Sequence, residues 1–384
     1  MTEIDDDVFP QLKDAIERFV SERLKPNELR VEEEDEIPEQ LVQEMKDLGL
    51  FGLTISPEYG GIGLNCRQES EIAMLLGQTA PAFRSLFGTN IGIGARGLIL
   101  EGTEEQKQTY LPKLATGEMI ASFALTEPDS GSDPASLTTK AVRDGDDYLI
   151  SGTKRYITNA TRAGLFTVMA RTDFERTDAG AISAFLVPAD TPGITLGAKD
   201  KKMGQRGTTT CDVIFDNVRV PADAIIGLEP GQGFKLAMRV LDRGRIHIGA
   251  LATGMCKRLI QEMLDFAKER RQFGQPIAEF QLIQAMIADS YTEYSAAKSL
   301  VRATATEYDA AGAARTNASA TKYFATEAVG RIADRAVQVH GGAGYMTEYA
   351  VERFYRDVRL FRIYEGTSQI QQLLIARQLI KNGL

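Results

Sequence analysis

Hydrophobic spacing changes twice along this 384-residue chain, and each change narrows the folds open to it. Up to about residue 120, "DVFPQLKDAIERFVSERL" and "PEQLVQEMKDLGLFGL" carry apolar residues three and four apart among charges, the spacing of amphipathic helices. "GTEEQKQTYLPKLATGE" opens on a capping signal and closes on glycine. From about 121 to 230 short β-rich runs take over: "SFALT", "DYLISGTKRYIT", "LFTVMART", "AISAFLV" and "CDVIFDNVRV". Turn-formers such as "RDGDD" and "TDAGA" separate them. Helical spacing then returns, with Ile248, Leu251, Met255, Leu259, Met263 and Phe266 on one face of a long helix and at least three helices after it. Helices and strands are segregated, so a doubly wound βαβ sheet is excluded and an α+β chain of three parts is expected: 1–120, 121–230 and 231–384.

Composition narrows the function classes. A net charge of −9 argues against a nucleic-acid or anionic-membrane partner. No uncharged apolar run reaches the roughly 18 residues that span a bilayer. The start, "MTEIDDDVFP", is acidic and lacks the positive region of a targeting peptide, so the cytoplasm is the expected compartment. Cys66, Cys211 and Cys256 match no metal or redox spacing and are expected as small buried hydrophobes, and no metal site is expected. "GIGARG" (Gly92 to Gly97) matches a dinucleotide fingerprint, but that motif has meaning only between a strand and a helix. Here it lies within the helical part, where small residues letting two helices approach closely explain it better.

Four stretches point to chemistry. "LTEPDSGSD" (Leu125 to Asp133), "KRYITNA" (Lys154 to Ala160) and "QVHGGAGY" (Gln338 to Tyr345) are rich in glycine or hydroxyls, and glycine-rich loops with serines can line up N–H groups around a phosphate. The fourth, "FRIYEGTSQIQ" (361–371), sets Glu365 before Gly366, which frees the backbone, and before Thr367 or Ser368, either able to cap a helix. Ile370, Leu373 and Leu374 then recur at helical spacing and are expected to anchor that helix in a core. Glu365 would stand beside unpaired N–H groups that favour its ionised form and could hold a carbonyl oxygen.

Together with "ERRQFGQPI" (Glu269 to Ile277), the order and spacing of these motifs resemble the acyl-CoA dehydrogenase family over nearly the whole chain. The resemblance implies an N-terminal helical domain, a central β-barrel-like domain, a C-terminal four-helix bundle and FAD between the last two. It also implies a homotetramer, a dimer of dimers, in which each flavin touches a neighbouring subunit, and a place in fatty-acid β-oxidation. Phe123, Leu125, Thr126 and Ser132 match the segment that meets the flavin ring and pyrophosphate, and Ser132 also the CoA moiety. Tyr156, where relatives carry tryptophan or phenylalanine, and Thr158 match positions beside the isoalloxazine. Arg270 and Phe273 look like the pair that reaches the neighbouring subunit's FAD, with Gln281, Gln338 and Gly342 at the same shared site. Thr367 and Gln369 match residues near the FAD of their own subunit.

The reaction so implied is α,β-dehydrogenation of an acyl-CoA thioester, with electrons passed to an electron-transfer flavoprotein. One protein base suffices for it, so a chain with only two histidines meets no obstacle. Glu365 matches the family's base, whose own N–H holds the thioester oxygen together with a ribityl hydroxyl of FAD. Some branches carry the base at the position of Gly244, and glycine there strengthens Glu365. Tyr364 and Gly366 border the acyl pocket, Arg245 supports its wall, and Asp242 is read as a pantetheine contact or a structural acid. His247 and His340 are expected to make ordinary packing or backbone contacts. Arg84, in "AFRSLFG", stands where glutaryl-CoA dehydrogenases carry an arginine that meets a distal carboxylate, so a dicarboxylyl-CoA is the alternative substrate. A relative that only binds acyl-CoA, FAD or DNA is the non-enzymatic alternative, and Glu365 and the acidic charge count against it.

Overall fold

A computed structural model describes residues 8–383; the acidic start, residues 1–7, and Leu384 lie outside the described residues. Seven helices come first: α1 (Val8–Phe19), α2 (Glu28–Glu34), α3 (Glu39–Asp47), α4 (Cys66–Leu76), α5 (Pro81–Thr89), α6 (Arg96–Glu101) and α7 (Glu104–Thr116). Local chemistry sets their ends. Asn65 and Gln68 cap α4 reciprocally, Thr103 and Gln106 do the same for α7, and Gly117 (φ 72°) closes α7 in the left-handed region.

The middle of the chain forms one curled seven-stranded sheet. Its strands are β1 (Ala121–Ala124), β2 (Lys140–Asp144), β3 (Asp147–Thr158), β4 (Leu165–Arg171), β5 (Ile182–Pro188), β6 (Ile194–Leu196) and β7 (Thr210–Pro221). The path runs β1-β4-β2-β3-β7-β6, with β5 paired to β4, so three strands, β1, β5 and β6, have a single neighbour and the sheet does not close. The spacing of the sequence points to β1, β3, β4, β5 and β7. It does not reveal β2, whose side chains are mostly exposed and charged, or the three-residue β6.

Five helices follow: α8 (Gly233–Glu269), α9 (Gln281–Ala311), α10 (Arg315–His340), α11 (Ala350–Val358) and α12 (Ser368–Asn382). The helices α8, α9 and α10 pack on one another and α12 lies against α10. A short hairpin, β8 (Arg271–Gln272) and β9 (Gln275–Pro276), joins α8 to α9. One core runs through both helical parts, from Ile16 and Phe83 to Leu259, Ile332 and Phe361, which makes them a single packed body. Its tightest crossing is between α4 and α8. A Cβ on Gly77 would meet the Leu251 carbonyl oxygen at 2.2 Å, and one on Gly254 the Met74 carbonyl oxygen at 2.2 Å. Glycine at both positions therefore brings the Glu69 side of α4 against α8.

"GIGARG" has a different cause from the one its sequence suggests. A Cβ on Gly94 would fall 2.8 Å from the Ala121 carbonyl oxygen, so the glycine lets helix approach strand β1 rather than a second helix. Among the described residues no helix is long and apolar enough to cross a membrane, and no cluster of His, Cys, Asp or Glu could hold a metal. All three cysteines are free and buried.

Candidate active site

The turn before α12 builds the centre of the site. Glu365 (φ 52°) and Gly366 (φ 87°) are both left-handed, and Thr367 then caps α12 by accepting the Ile370 N–H at 3.2 Å. Glycine adopts that conformation freely, but a glutamate held there is costly unless the surroundings secure it. Here two donor groups do so with three hydrogen bonds. Gln371 Nε2 reaches the Glu365 and Gly366 carbonyls at 3.1 and 3.0 Å, and Lys322 Nζ donates to the Gly366 carbonyl at 2.7 Å. The Glu365 N–H takes no partner among the described residues, and its Oε2 is buried without a hydrogen bond. A Cβ on Gly244 would stand 2.4 Å from that oxygen, so the carboxylate rests on the bare backbone of α8.

Burial pushes the Glu365 carboxyl above the ordinary range, opposed by the positive charges of Arg84, Lys322 and Arg245. Lys322 is fully buried, and burial pulls it down to about 8, with Glu365 opposing. Sequence reading passes over Lys322. A signal was present, because it falls on the stripe of α10 that carries the buried Ala318, Ala325 and Val329, where a lysine needs an explanation.

Glu365 opens into a cleft of about 570 Å³ between the sheet and the helices. Phe123, Leu125, Thr126, Ser132, Tyr156 and Thr158 form its sheet wall; Arg84, Arg245, Tyr364, Glu365 and Gly366 border it on the other side. The wall's shape follows from a β-bulge between Lys154 and Ile157, which puts Tyr156 at φ 58° and leaves this residue 59% exposed where it lines the cleft. Behind the wall, Lys154 and Glu127 make a fully buried ion pair at 2.8 Å, and Lys154 also donates to the Leu125 carbonyl. Against the cost of burial, Lys154 and the Thr138 and Thr139 donors hold Glu127 down to about 2. That pair ties the 125–133 loop to β3, while Ser122 Oγ fixes the Thr158 carbonyl at 2.8 Å. Asn159, left-handed at φ 61°, donates to the Ser85 and Leu86 carbonyls and seats α5 beside the cleft.

Ile370, Leu373 and Leu374 do not anchor α12 in a core. They line the same cleft, and Leu373 is 50% exposed. Helical spacing marks an apolar face; it does not say whether protein or a ligand covers it. Asp242 is buried away from the cleft, its carboxylate 2.7 Å from Arg245 Nη1 and 3.4 Å from Arg315 Nε, so it bears on the cleft through Arg245. Arg270, Phe273, Gln281, Gln338 and Gly342 are all exposed, where α8 ends, α9 begins and α10 ends. Phe273 is 95% exposed with φ 51°, held out on the β8–β9 hairpin. Gln369 is exposed, and the Thr367 hydroxyl accepts the cap bond, which leaves its O–H free to donate. His340 makes the expected contacts, stacking on Phe266 and bonding the Ala336 carbonyl. His247 does more: both ring nitrogens are engaged, with Arg84 and with Glu69.

Thr126, Ser132 and Thr158 use none of their hydroxyls within the described chain, and they surround an open aromatic face. A planar ring system with polar edges and phosphates fits such a wall. Helices, a curled sheet and a helical bundle enclose this cleft, with a buried carboxylate oxygen facing it, an arrangement that suits a flavin-dependent oxidoreductase.

Comparison with known proteins makes the class specific. Family models match throughout: the acyl-CoA dehydrogenase N-terminal domain over residues 9–118, the middle domain over 122–218 and the C-terminal domain over 231–380. A probable acyl-CoA dehydrogenase of Bacillus subtilis is 41% identical over 370 residues, 96% of this chain and 97% of the relative. Subunit CarC of the caffeyl-CoA reductase–Etf complex of Acetobacterium woodii is 41% identical over 352 residues, 91% of this chain and 92% of the relative. The structure of butyryl-CoA dehydrogenase from Megasphaera elsdenii superposes with a TM-score of 0.94 at 31% identity, covering 99% of this chain and 100% of that one. The chain belongs to the acyl-CoA dehydrogenase family, and is an FAD-dependent oxidoreductase acting on acyl-CoA.

Proposed function

We propose that this enzyme converts an acyl-CoA to the trans-2-enoyl-CoA with Glu365 as its base. The observation that carries the reading is the Glu365 turn: a buried carboxylate oxygen without a partner, beside a free N–H of the same residue, at the cleft. The carboxylate takes the substrate's α-proton, a hydride departs from the β-carbon, and the Cα=Cβ bond forms from the electrons left behind. Bound FAD supplies the two-electron acceptor for that hydride. As charge develops on the thioester oxygen, the Glu365 N–H is the chain's donor for it, fixed in direction by Lys322 and Gln371 before the substrate arrives. Thr126, Ser132, Tyr156 and Thr158 would hold the flavin, with Phe123 and Leu125 as its apolar support. The exposed Arg270, Phe273, Gln281, Gln338 and Gly342 would serve the flavin of a neighbouring subunit in a homotetramer. A relative that works in a reductase–Etf complex supports an electron-transfer flavoprotein as the partner, and a cytoplasmic place in fatty-acid β-oxidation goes with this reading. The test is a panel of acyl-CoAs, glutaryl-CoA included, assayed with an artificial electron acceptor. A preparation that binds FAD but turns over none of them refutes the proposal.

One observation favours a particular substrate class. Arg84 is no solvated surface arginine: it is 6% exposed, and it borders the cleft together with Glu365. A buried cation facing a substrate pocket favours an acyl chain that ends in a carboxylate or other strong acceptor. Arg84→Ala is expected to lower kcat/KM for glutaryl-CoA about 100-fold relative to pentanoyl-CoA, the cost of losing one charge-assisted pair. An unchanged ratio would rule this class out.

Lys322 gives a pH test. Its buried charge favours the ionised form of Glu365, so Lys322→Met should make the base harder to ionise. A base works above its pKa, so the acidic limb of the kcat profile should move to higher pH, while Lys322→Arg leaves it nearer the wild-type position. A Lys322→Met profile that overlays the wild type would show that the ammonium only supports the turn.

A further inference from the structure

Four side chains from three helices converge behind the cleft. Arg84 Nε of α5 donates to His247 Nε2 of α8 at 2.6 Å. His247 Nδ1 meets Glu69 Oε1 of α4 at 2.8 Å, and Glu69 Oε2 accepts from Arg243 Nε at 2.6 Å. All four are buried. Because an arginine Nε can only donate, His247 must accept there, so its single proton sits on Nδ1 and points at Glu69. Burial, with Arg84 next, holds His247 below its ordinary value, which keeps it in this neutral form. Each donor in the series thus has one acceptor, and the order cannot reverse.

A fifth residue shapes the same feature. A Cβ on Gly88, one turn after Arg84, would lie 2.5 Å from Arg84 Nε and 2.9 Å from its guanidinium carbon. Glycine there lets the guanidinium fold back along α5 towards His247. The two terminal nitrogens of Arg84 take no partner among the described residues, and the side chain borders the cleft. Burying a cation is costly unless it is paired. The chain meets one of its donor directions with His247 and leaves the forked end for something that enters the cleft.

We infer that His247 is a positioning residue: backed by Glu69 and given room by Gly88, it aims the Arg84 fork at the acyl end of the substrate and so sets the preference for an acceptor-tailed chain. This rests on the substrate class proposed above. An unclamped arginine has several rotatable bonds, and holding it in one rotamer removes an ordering cost that binding would otherwise meet. The effect belongs to carboxylate-tailed substrates alone, because an alkyl tail makes no use of the fork.

The experiment compares glutaryl-CoA with pentanoyl-CoA, equal in carbon number, on the FAD-loaded wild type, His247→Leu and His247→Gln. Leucine keeps apolar bulk but neither bond; glutamine keeps one acceptor for Arg84 and one donor for Glu69. The expected result is a roughly tenfold loss of kcat/KM for glutaryl-CoA in His247→Leu, borne mainly by KM, with pentanoyl-CoA changed less than about twofold, and recovery in His247→Gln. FAD content and Tm are measured alongside. Should His247→Leu fail to fold, His247→Gln is read against His247→Asn, whose shorter amide cannot span both partners and should lose the preference. Equal losses for both substrates, or none for either, overturn the positioning role. A wild type that prefers pentanoyl-CoA overturns the substrate class and this inference with it, while a wild type inactive on every acyl-CoA overturns the function itself.

Discussion

Glu365→Gln should keep its fold and its FAD and lose about 10³- to 10⁴-fold in kcat, the range for removing a general base. Glutamine has the size of glutamate and can occupy the same perch over Gly244, but its amide cannot accept the α-proton. The Gln371 and Lys322 bonds to the backbone of the turn do not involve the side chain, so the free N–H stays aimed at the cleft. Substrate binding is therefore expected to survive, and the loss should fall on kcat. Stability supplies a second, independent readout. The folded protein holds the Glu365 carboxyl above its ordinary pKa, chiefly by burial. Such a group contributes stability fully below its unfolded pKa and loses that contribution as pH rises through the folded value. At neutral pH the ionised, buried carboxylate is thus a burden, and the neutral amide should raise Tm. The difference between variant and wild type should shrink as pH falls and the glutamate protonates. Retained turnover refutes the base assignment. A Tm difference that does not change with pH means that the carboxylate is solvated rather than buried.

What the sequence reveals of this site follows a physical division. Features written in consecutive residues are legible: the Glu365–Gly366 turn, the Thr367 cap, the capping signal of α7, and the change from helical to strand spacing. Features that depend on which helix meets which are not. Nothing near His247 in the chain announces Arg84 or Glu69, which lie 163 and 178 residues away; Glu69 is brought in where Gly77 and Gly254 let α4 and α8 touch, and Arg84 by α5, which Asn159 seats. Lys322 is an intermediate case, visible as a lysine on an apolar stripe while its partner, the Gly366 carbonyl, is not. The misreading of Ile370, Leu373 and Leu374 has the same root. A ligand-facing apolar stripe and a core-facing one have identical spacing, and only the tertiary structure shows that the cleft lies over them.

Gly244→Ala tests the perch itself with one methyl group. The added Cβ would stand 2.4 Å from Glu365 Oε2, closer than any carbon tolerates, so something must move. Residue 244 lies inside α8, a 37-residue helix buried in the bundle, whereas the carboxylate is the end of a flexible side chain. The carboxylate should therefore give way and the helix should hold. Alanine is also the better helix former by about 1 kcal/mol, which offsets part of the local crowding. The expected variant folds with a Tm near the wild-type value and binds FAD, yet its base is displaced by about 1 Å, enough to cost roughly 100-fold in kcat. The pH profile separates it from Glu365→Gln. The base is still present in Gly244→Ala, so an acidic limb persists on the reduced rate, whereas Glu365→Gln should have no such limb. If Gly244→Ala turns over at the wild-type rate, the carboxylate does not rest on α8 in the working enzyme. If it loses FAD and melts early, the methyl group has displaced the helix instead, and the side chain of Glu365 is held more rigidly than its lack of partners implies.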